Sequence, residues 1–148
     1  TLILYTRVET HGLPLFDLIN SNKEENRKCF FVHGGVDTED REQVRTITEK
    51  EDNAIIIASY GTFSTGINIK KIDNVVFASP SKSRIRNLQS IGRGLRKVEG
   101  KDSMRLFDIA DDLQCDNYTL SHLKDRINIY NEERFSYEIK QFELNDKS

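Results

Sequence analysis

The stretch Ala54-Ile55-Ile56-Ile57-Ala58 decides the fold class of this chain. It is the longest apolar run in the 148 residues, and it is too short to span a bilayer. An unbroken apolar run of this length is typical of a strand that is buried on both faces of a parallel sheet. Further strand-like runs are found at residues 2–5, 28–32, 74–78 and 104–109.

The segments between these runs are long enough to form helices. Apolar residues at helical spacing predict a helix over 12–20, and a polar segment predicts another over 38–50. Beyond residue 112, an apolar stripe at 120, 123, 127 and 130 predicts an amphipathic helix, and loose alternation over 136–144 favours an edge strand. Strands that alternate with helical crossovers predict an α/β fold, a parallel β-sheet with helices on both faces.

Length and composition fit one domain, with 36% hydrophobic residues, 31% charged residues and a net charge of −2. Cys29 and Cys115 are far apart, and no Cys/His cluster has metal-ligand spacing, so we expect a reduced, metal-free, cytoplasmic protein. The chain opens inside a strand-like run without an initiator methionine, and we therefore expect it to be a piece of a longer protein.

Charge is distributed unevenly along the chain. Residues 81–105 hold eight basic side chains and two acidic ones, a local charge of +6, whereas residues 106–148 hold five basic and ten acidic ones, a local charge of −5. A basic block within a weakly acidic protein indicates a local anion site.

The basic block contains the stretch Gln89-Ser90-Ile91-Gly92-Arg93-Gly94-Leu95-Arg96. Arg93 and Arg96 are three residues apart, so on a helix they would project from the same face. Two guanidinium groups aimed in one direction can hold a polyphosphate, because each planar fork binds oxygen atoms bidentately. A solvated basic helix face would explain an isolated arginine pair, but Gln89 and the neighbouring glycines favour the anion site.

Two more polar segments follow strand-like runs, where parallel sheets bind their ligands. Residues 59–68 offer hydroxyl groups and glycine-freed backbone amides, which suit the phosphate oxygens of a nucleic acid, although such a loop also commonly caps the next helix. His33-Gly34 follows the run at 28–32. No Ser or Cys nucleophile with a matching base lies near this histidine, and the sequence therefore does not predict a hydrolase triad.

A cluster of acidic residues lies near the last strand-like run. Asp108, Asp111 and Asp112 have a spacing that matches no metal-binding loop. We therefore expect them to form a solvated turn, and the sequence predicts no metal ligand of its own.

Taken in order, these segments resemble the second RecA-like domain of superfamily-two helicases. Residues 89–96 match the family's Q-x-x-G-R-x-x-R motif VI, residues 59–68 resemble motif V, and residues 2–7 resemble motif IV. The resemblance covers about 1–112, which would form the lobe, with 113–148 as an extension packed on the same domain. The pattern of the extension resembles phage-type recombination helicases of the UvsW kind, through Tyr118, His122, Arg126, Tyr130 and Phe135.

The resemblance implies the second motor lobe of an ATP-dependent DNA helicase or translocase that acts in recombination, repair or replication. ATP lies between two lobes in this family, so Arg93 and Arg96 would act as arginine fingers, with Gln89 near the phosphates. The nucleotide would also be approached by Gly66, Asn68 and Gly92, with Asn68 standing where many members have Asp. The backbone of the nucleic acid would be contacted by Thr6, Arg7, His33, Gly34, Ser59, Thr62 and Thr65.

The sequence lacks a G-x-x-x-x-G-K-[ST] phosphate loop and an acidic box for Mg²⁺. ATP and Mg²⁺ would therefore be held mainly by an N-terminal RecA-like lobe of the same protein, and we expect this chain alone to be inactive. Two other functions stay open. One is a nucleic-acid-binding module without an ATPase role, and the other is a flavodoxin-like signalling or scaffold domain, which would leave the stretch 89–96 unexplained.

Overall fold

A computed structural model describes residues 1–66, 69, 72–79, 83, 92, 103–112 and 118–144 of the chain. The strands are β1 (Leu2–Tyr5), β2 (Cys29–Val32), β3 (Ile55–Ser59), β4 (Asn74–Phe77) and β5 (Arg105–Asp108). The α-helices are α1 (Leu13–Asn22), α2 (Thr38–Lys50), α3 (Tyr60–Gly66) and α4 (Tyr118–Glu132). A π-helix, Val8–Gly12, lies between β1 and α1.

The described strands form one parallel sheet in the order β2-β3-β1-β4-β5. The central strand β1 pairs with β3 on one side, where Tyr5 lies opposite Ser59, and with β4 on the other, where Leu4 lies opposite Phe77. No side chain of β1 is more than 8% exposed, as expected for a strand covered on both faces. The α/β fold with a parallel sheet, which the sequence predicts, is confirmed.

Alternate residues of β1 belong to two separate cores, because successive side chains of a strand point to opposite faces. Leu2 and Leu4 lie in a core that also contains residues of α3 and α4. Ile3 and Tyr5 lie in the second core, against which the π-helix and α1 pack. Helices therefore cover both faces of the sheet.

The strand bounds fall within one residue of the sequence predictions, and the helix over 38–50 is found at the expected residues. Its start is fixed by Asp37, whose carboxylate accepts hydrogen bonds from the amides of Glu39 at 3.0 Å and Asp40 at 3.3 Å. The helix expected over 12–20 is found at Leu13–Asn22.

The π-helix Val8–Gly12 was not predicted, because five residues with an i→i+5 pattern leave no periodicity to detect in the sequence. Gly12 ends this turn and is buried against the ring of Tyr5. A Cβ atom added at Gly12 would lie 2.5 Å from Cε2 of Tyr5, a ring with no exposed surface. The turn can therefore approach the sheet this closely only with glycine at its end.

The prediction of an edge strand over 136–144 is wrong. These residues form no strand, although residues 136–144 are all among those described. The end strands β2 and β5 do not pair with them, and Phe142 and Leu144 are 79% and 95% exposed. Alternation in the sequence is therefore not matched by a ladder or by a buried face, the two features that stabilise a strand.

We expect Gly12→Ala to lower the free energy of unfolding by about 1–3 kcal/mol, the usual cost of overpacking a filled core. The added methyl group would collide with the Tyr5 ring, which is itself packed between the sheet and α1. Urea denaturation followed by circular dichroism measures the change. Gly61→Ala is the matched control, because a Cβ there meets nothing within 4 Å. Equal stability of Gly12→Ala and the unsubstituted protein would contradict the packing argument.

Candidate functional site

The carboxyl ends of the described strands meet at one edge of the sheet, because all the pairings are parallel. The register sets Tyr5 beside Ser59, Val32 beside Ala58, and Phe77 beside Asp108. Residues that follow these strand ends are therefore neighbours although they are far apart in sequence. Such an edge is where open parallel sheets bind ligands.

The segments after β1 and β2 present polar groups to solvent at this edge. Thr6, Arg7 and Gly34 are exposed, and His33 is half-buried. The amide of Gly35 donates to Nδ1 of His33 at 3.1 Å, which assigns the ring proton of the neutral histidine to Nε2. His33 thus keeps an N–H donor of the kind that binds phosphate oxygens.

Arg41 reaches the same segment from α2. Its Nη2 donates to the carbonyl of Gly34 at 3.0 Å and so fixes the turn after β2. The Nε of Arg41 is buried and has no hydrogen-bond partner within the described part of the chain. The guanidinium therefore holds the turn through one nitrogen and does not use its full donor capacity.

Ser59 and Thr62 bond to each other. Their hydroxyl oxygens are 2.7 Å apart, and the amide of Thr62 donates to Oγ of Ser59 at 3.2 Å. This arrangement caps the first turn of α3, the structural role that the sequence left open beside nucleic-acid binding. Thr62 is only 5% exposed, so its hydroxyl lies beneath the surface of the edge.

Other residues of the predicted site have less structural detail or none. Thr65 and Gly66 fall in α3, and Gly92 is exposed with open space around its Cα. Asn68, Gln89, Arg93 and Arg96 lie outside the described residues. The roles predicted for all of these positions stay predictions.

Ser79, two residues beyond β4, was missed by the sequence reasoning and is a centre of hydrogen bonding at the edge. Its Oγ accepts from the amide of Thr6 at 3.2 Å and lies 2.7 Å from Nδ1 of His11. Its carbonyl accepts from the hydroxyl of Tyr60 at 3.1 Å. The available sequence signal was a hydroxyl residue directly after a strand at the ligand-binding edge.

Asp108, at the end of β5, forms a buried ion pair with Arg126 of α4. Nε and Nη2 of Arg126 donate to the two carboxylate oxygens at 2.7 Å and 2.6 Å, and the Tyr130 hydroxyl donates to Oδ2 at 2.6 Å. The side chains of Arg126 and Asp108 are 1% and 10% exposed. The expectation that Asp108 belongs to a solvated turn is therefore wrong, whereas Asp111 and Asp112 are exposed.

The pKa values of Arg126 and of Tyr130 beside it are both raised. Burial by itself lowers the pKa of Arg126, and the hydrogen bonds and charge of Asp108 outweigh burial, so that the pKa is raised. Burial, and next the Asp108 carboxylate, raise the pKa of the Tyr130 hydroxyl. Both shifts favour a charged Arg126 and a neutral Tyr130.

The described ranges contain neither a metal-binding cluster nor a membrane-spanning helix. Among these residues no three His, Cys, Asp or Glu side chains are placed to hold a metal ion. The helices within the same ranges are each too short or too polar to cross a membrane.

A parallel sheet covered by helices on both faces, with polar groups at its carboxyl edge, has the architecture of a RecA-like lobe. The family model for the helicase conserved C-terminal domain matches residues 1–98. The chain belongs to this family.

Comparison with known proteins agrees with this assignment. The chain is 40% identical over 148 positions to the ATP-dependent DNA helicase uvsW of Enterobacteria phage T4, an alignment that spans 91% of the chain and 29% of the relative. The chain therefore covers less than a third of that protein's length.

Two solved structures have a similar fold. The C-terminal domain of the DEAD-box protein Dbp5 superposes with a TM-score of 0.65 at 15% identity, over 89% of this chain and 71% of that one. The C-terminal part of the Fun30 ATPase domain gives a TM-score of 0.59 at 17% identity, over 92% of this chain and 49% of that one. At these identities the likeness supports the fold alone.

We expect Arg126→Met to lower the free energy of unfolding by about 3–5 kcal/mol, because it leaves the Asp108 carboxylate buried without its cation. Urea denaturation gives the value directly. The matched control is Lys28→Ala, which removes an ion pair with Glu51 from side chains that are 51% and 37% exposed, and should cost at most about 1 kcal/mol. Similar losses in the two variants would contradict the claim that burial makes the Asp108 pair important.

Proposed function

We propose that this chain is the second motor lobe of an ATP-dependent DNA helicase or translocase. The main support for this proposal is that polar residues after β1, β2 and β3 lie together at the carboxyl edge of the sheet in a helicase-family lobe. The phage relative, which is itself an ATP-dependent DNA helicase, supports the choice of DNA as the substrate. Recombination, repair or replication would be the setting, and the cytoplasm, of the host cell for a phage protein, the location.

The edge of the sheet would follow the backbone of the nucleic acid. Arg7 brings a cation, the backbone of Gly34 is open to solvent, and His33 keeps a ring donor. Phosphate contacts of this type fix the position of a strand and carry no sequence information. Ser59 and Thr62 would act chiefly by holding the start of α3, since their hydroxyls are bonded to each other.

The nucleotide would lie between this lobe and an N-terminal RecA-like lobe of the same protein. That partner would hold Mg²⁺ and most of the ATP, and this chain would add Arg93 and Arg96, with Gln89 nearby. Negative charge spreads over the transferring phosphoryl oxygens in the transition state, and a guanidinium placed there stabilises it. The chain alone would then not turn over ATP.

We expect Arg93→Ala and Arg93→Lys in the full-length protein each to lower ATP turnover by at least ~10²-fold, within the contribution of arginine fingers. Lysine keeps the charge but lacks the planar fork, so it should not restore activity. The loss should fall on kcat more than on KM, because the contact forms in the transition state. Steady-state ATPase assays measure both constants.

The same Arg93 variants separate the motor from its main alternative, a nucleic-acid-binding module without an ATPase role. A motor lobe predicts nearly unchanged DNA binding in the absence of ATP. Intact turnover with weakened DNA binding would refute the arginine-finger role and favour the binding module.

We expect Arg7→Ala to weaken DNA binding by a similar factor for all sequences and to reduce the slope of log K against log salt by about 1. The reason is the loss of one phosphate contact at the carboxyl edge. Fluorescence anisotropy with two unrelated oligonucleotides over a salt series measures both effects. The matched control is Lys50→Ala, an exposed cation at the far end of α2. A change in sequence preference, or an equal effect of the control, would contradict the assignment.

A further inference from the structure

The hydrogen bonds of Ser79 join three elements that are distant in sequence. Ser79 is 6% exposed, and its partners belong to the segment after β1, the π-helix and α3. We name Ser79, Thr6, His11 and Tyr60 the edge cluster. The separations of its bonded pairs along the chain are 73, 68 and 19 residues, so the cluster is a tertiary feature of the sheet edge.

The hydroxyl of Ser79 finds matching partners within the edge cluster. A serine hydroxyl has one donor and two acceptor sites. The amide of Thr6 occupies one acceptor site, and the remaining capacity meets Nδ1 of His11 in either tautomer, because the hydroxyl can donate to Nδ1 or accept from it. Removal of the Ser79 side chain would take away the partner of the Thr6 amide and of Nδ1 of His11, whereas removal of the His11 ring would leave the Ser79 hydroxyl bonded to the Thr6 amide. Either change loses a hydrogen bond at a partly buried position.

The position of His11 depends on the π-helix. The wide turn Val8–Gly12 carries His11 back over the sheet edge, and Gly12 allows the turn to lie against the Tyr5 ring. A histidine on an ordinary α-helical turn starting at the same residue would project in a different direction. This irregular turn therefore has a specific consequence, the contact between His11 and Ser79.

Three members of the edge cluster adjoin, in sequence, segments of the proposed site. Thr6 precedes Arg7, which is proposed to contact the nucleic-acid backbone, and Tyr60 follows Ser59 at the start of α3. Ser79 is where the chain leaves β4 toward the stretch that contains Arg93 and Arg96. A shift of the segment after β1 would thus act on Ser79 through two hydrogen bonds.

We infer that Ser79 and His11 are positioning residues that couple strand binding to ATP turnover. This inference rests on the proposed function. The cluster links the strand-contacting segment to the segment that leads toward the arginines, and neither Ser79 nor His11 needs to touch ATP or DNA. Coupling of this kind is established only by energetic interaction between residues, so the test is a double-mutant cycle.

The test measures ATPase activity of the full-length protein with and without a saturating single-stranded DNA oligonucleotide. We expect Ser79→Ala and His11→Leu each to lower the DNA-stimulated kcat by about tenfold, the factor that corresponds to the loss of one hydrogen bond. Basal turnover and the KM for ATP should stay within about twofold, because the phosphate-contacting residues are unchanged. The DNA-stimulated kcat of the double variant should be no lower than that of the more impaired single variant. If the two residues acted independently, the two fold-losses would multiply.

Two further variants separate positioning from general destabilisation. His11→Asn should regain at least half of the stimulation, because its amide can occupy the place of Nδ1. Thr48→Val removes a hydroxyl that is equally buried, at 6% exposure, but bonds to Val44 within α2, and it should keep full stimulation. If Ser79→Ala does not fold, the comparison of His11→Leu with His11→Asn carries the test.

The inference is overturned if folded Ser79→Ala or His11→Leu is stimulated as strongly as the unsubstituted protein. It is also overturned if Thr48→Val loses the same stimulation, if His11→Asn behaves like His11→Leu, or if the losses multiply in the double variant. Absence of DNA-stimulated ATPase in the unsubstituted protein would instead refute the proposed function. Failure of the inference is therefore seen in the variants, whereas failure of the proposed function is seen in the unsubstituted protein.

Discussion

The parallel pairing of β1 with strands on both sides is the constraint on which the rest of the structure depends. Leu2 and Leu4 face one core and Ile3 and Tyr5 the other, so a shift of one residue would exchange the contents of the two cores. The register is therefore fixed by burial on both faces. Because every described pairing is parallel, this register also brings the ends of all the strands to one edge.

The edge created in this way must satisfy the polar groups that it buries. Ser79 does so between β1, the π-helix and α3, and Asp108 does so between β5 and α4. Paired polar groups in a low-dielectric setting restrict geometry more than apolar contacts do, because each bond has a direction and a missing partner is costly. The polar residues that line the edge are thus held by bonded neighbours, as the proposed phosphate-binding surface would require.

Much of the fold was predictable because burial leaves a pattern in the sequence. The strand was found from the apolar run 54–58, and the helix 38–50 was found from the polar segment between two strand-like runs. The π-helix has no such pattern, and the alternation over 136–144 had no partner strand to pair with. The location of the site at one edge of the sheet was also predictable, because its polar segments directly follow strand-like runs and parallel strands end at the same edge. The pairing of Asp108 with Arg126 was not, because it joins residues 18 positions apart across a helix whose orientation the sequence does not state.

The ion pair of Asp108 and Arg126 also bears on how far the folded unit extends. The family match ends at residue 98, yet Tyr130 lies in the same core as Leu2 and Leu4, and Phe135 packs against that core. Buried ion pairs contribute little net stability over apolar packing, but the loss of one partner is severe. Arg126 therefore makes the attachment of α4 specific more than it makes it strong. Since Asp108 ends β5, the ion pair attaches α4 beside the carboxyl edge of the sheet, where the proposed site lies.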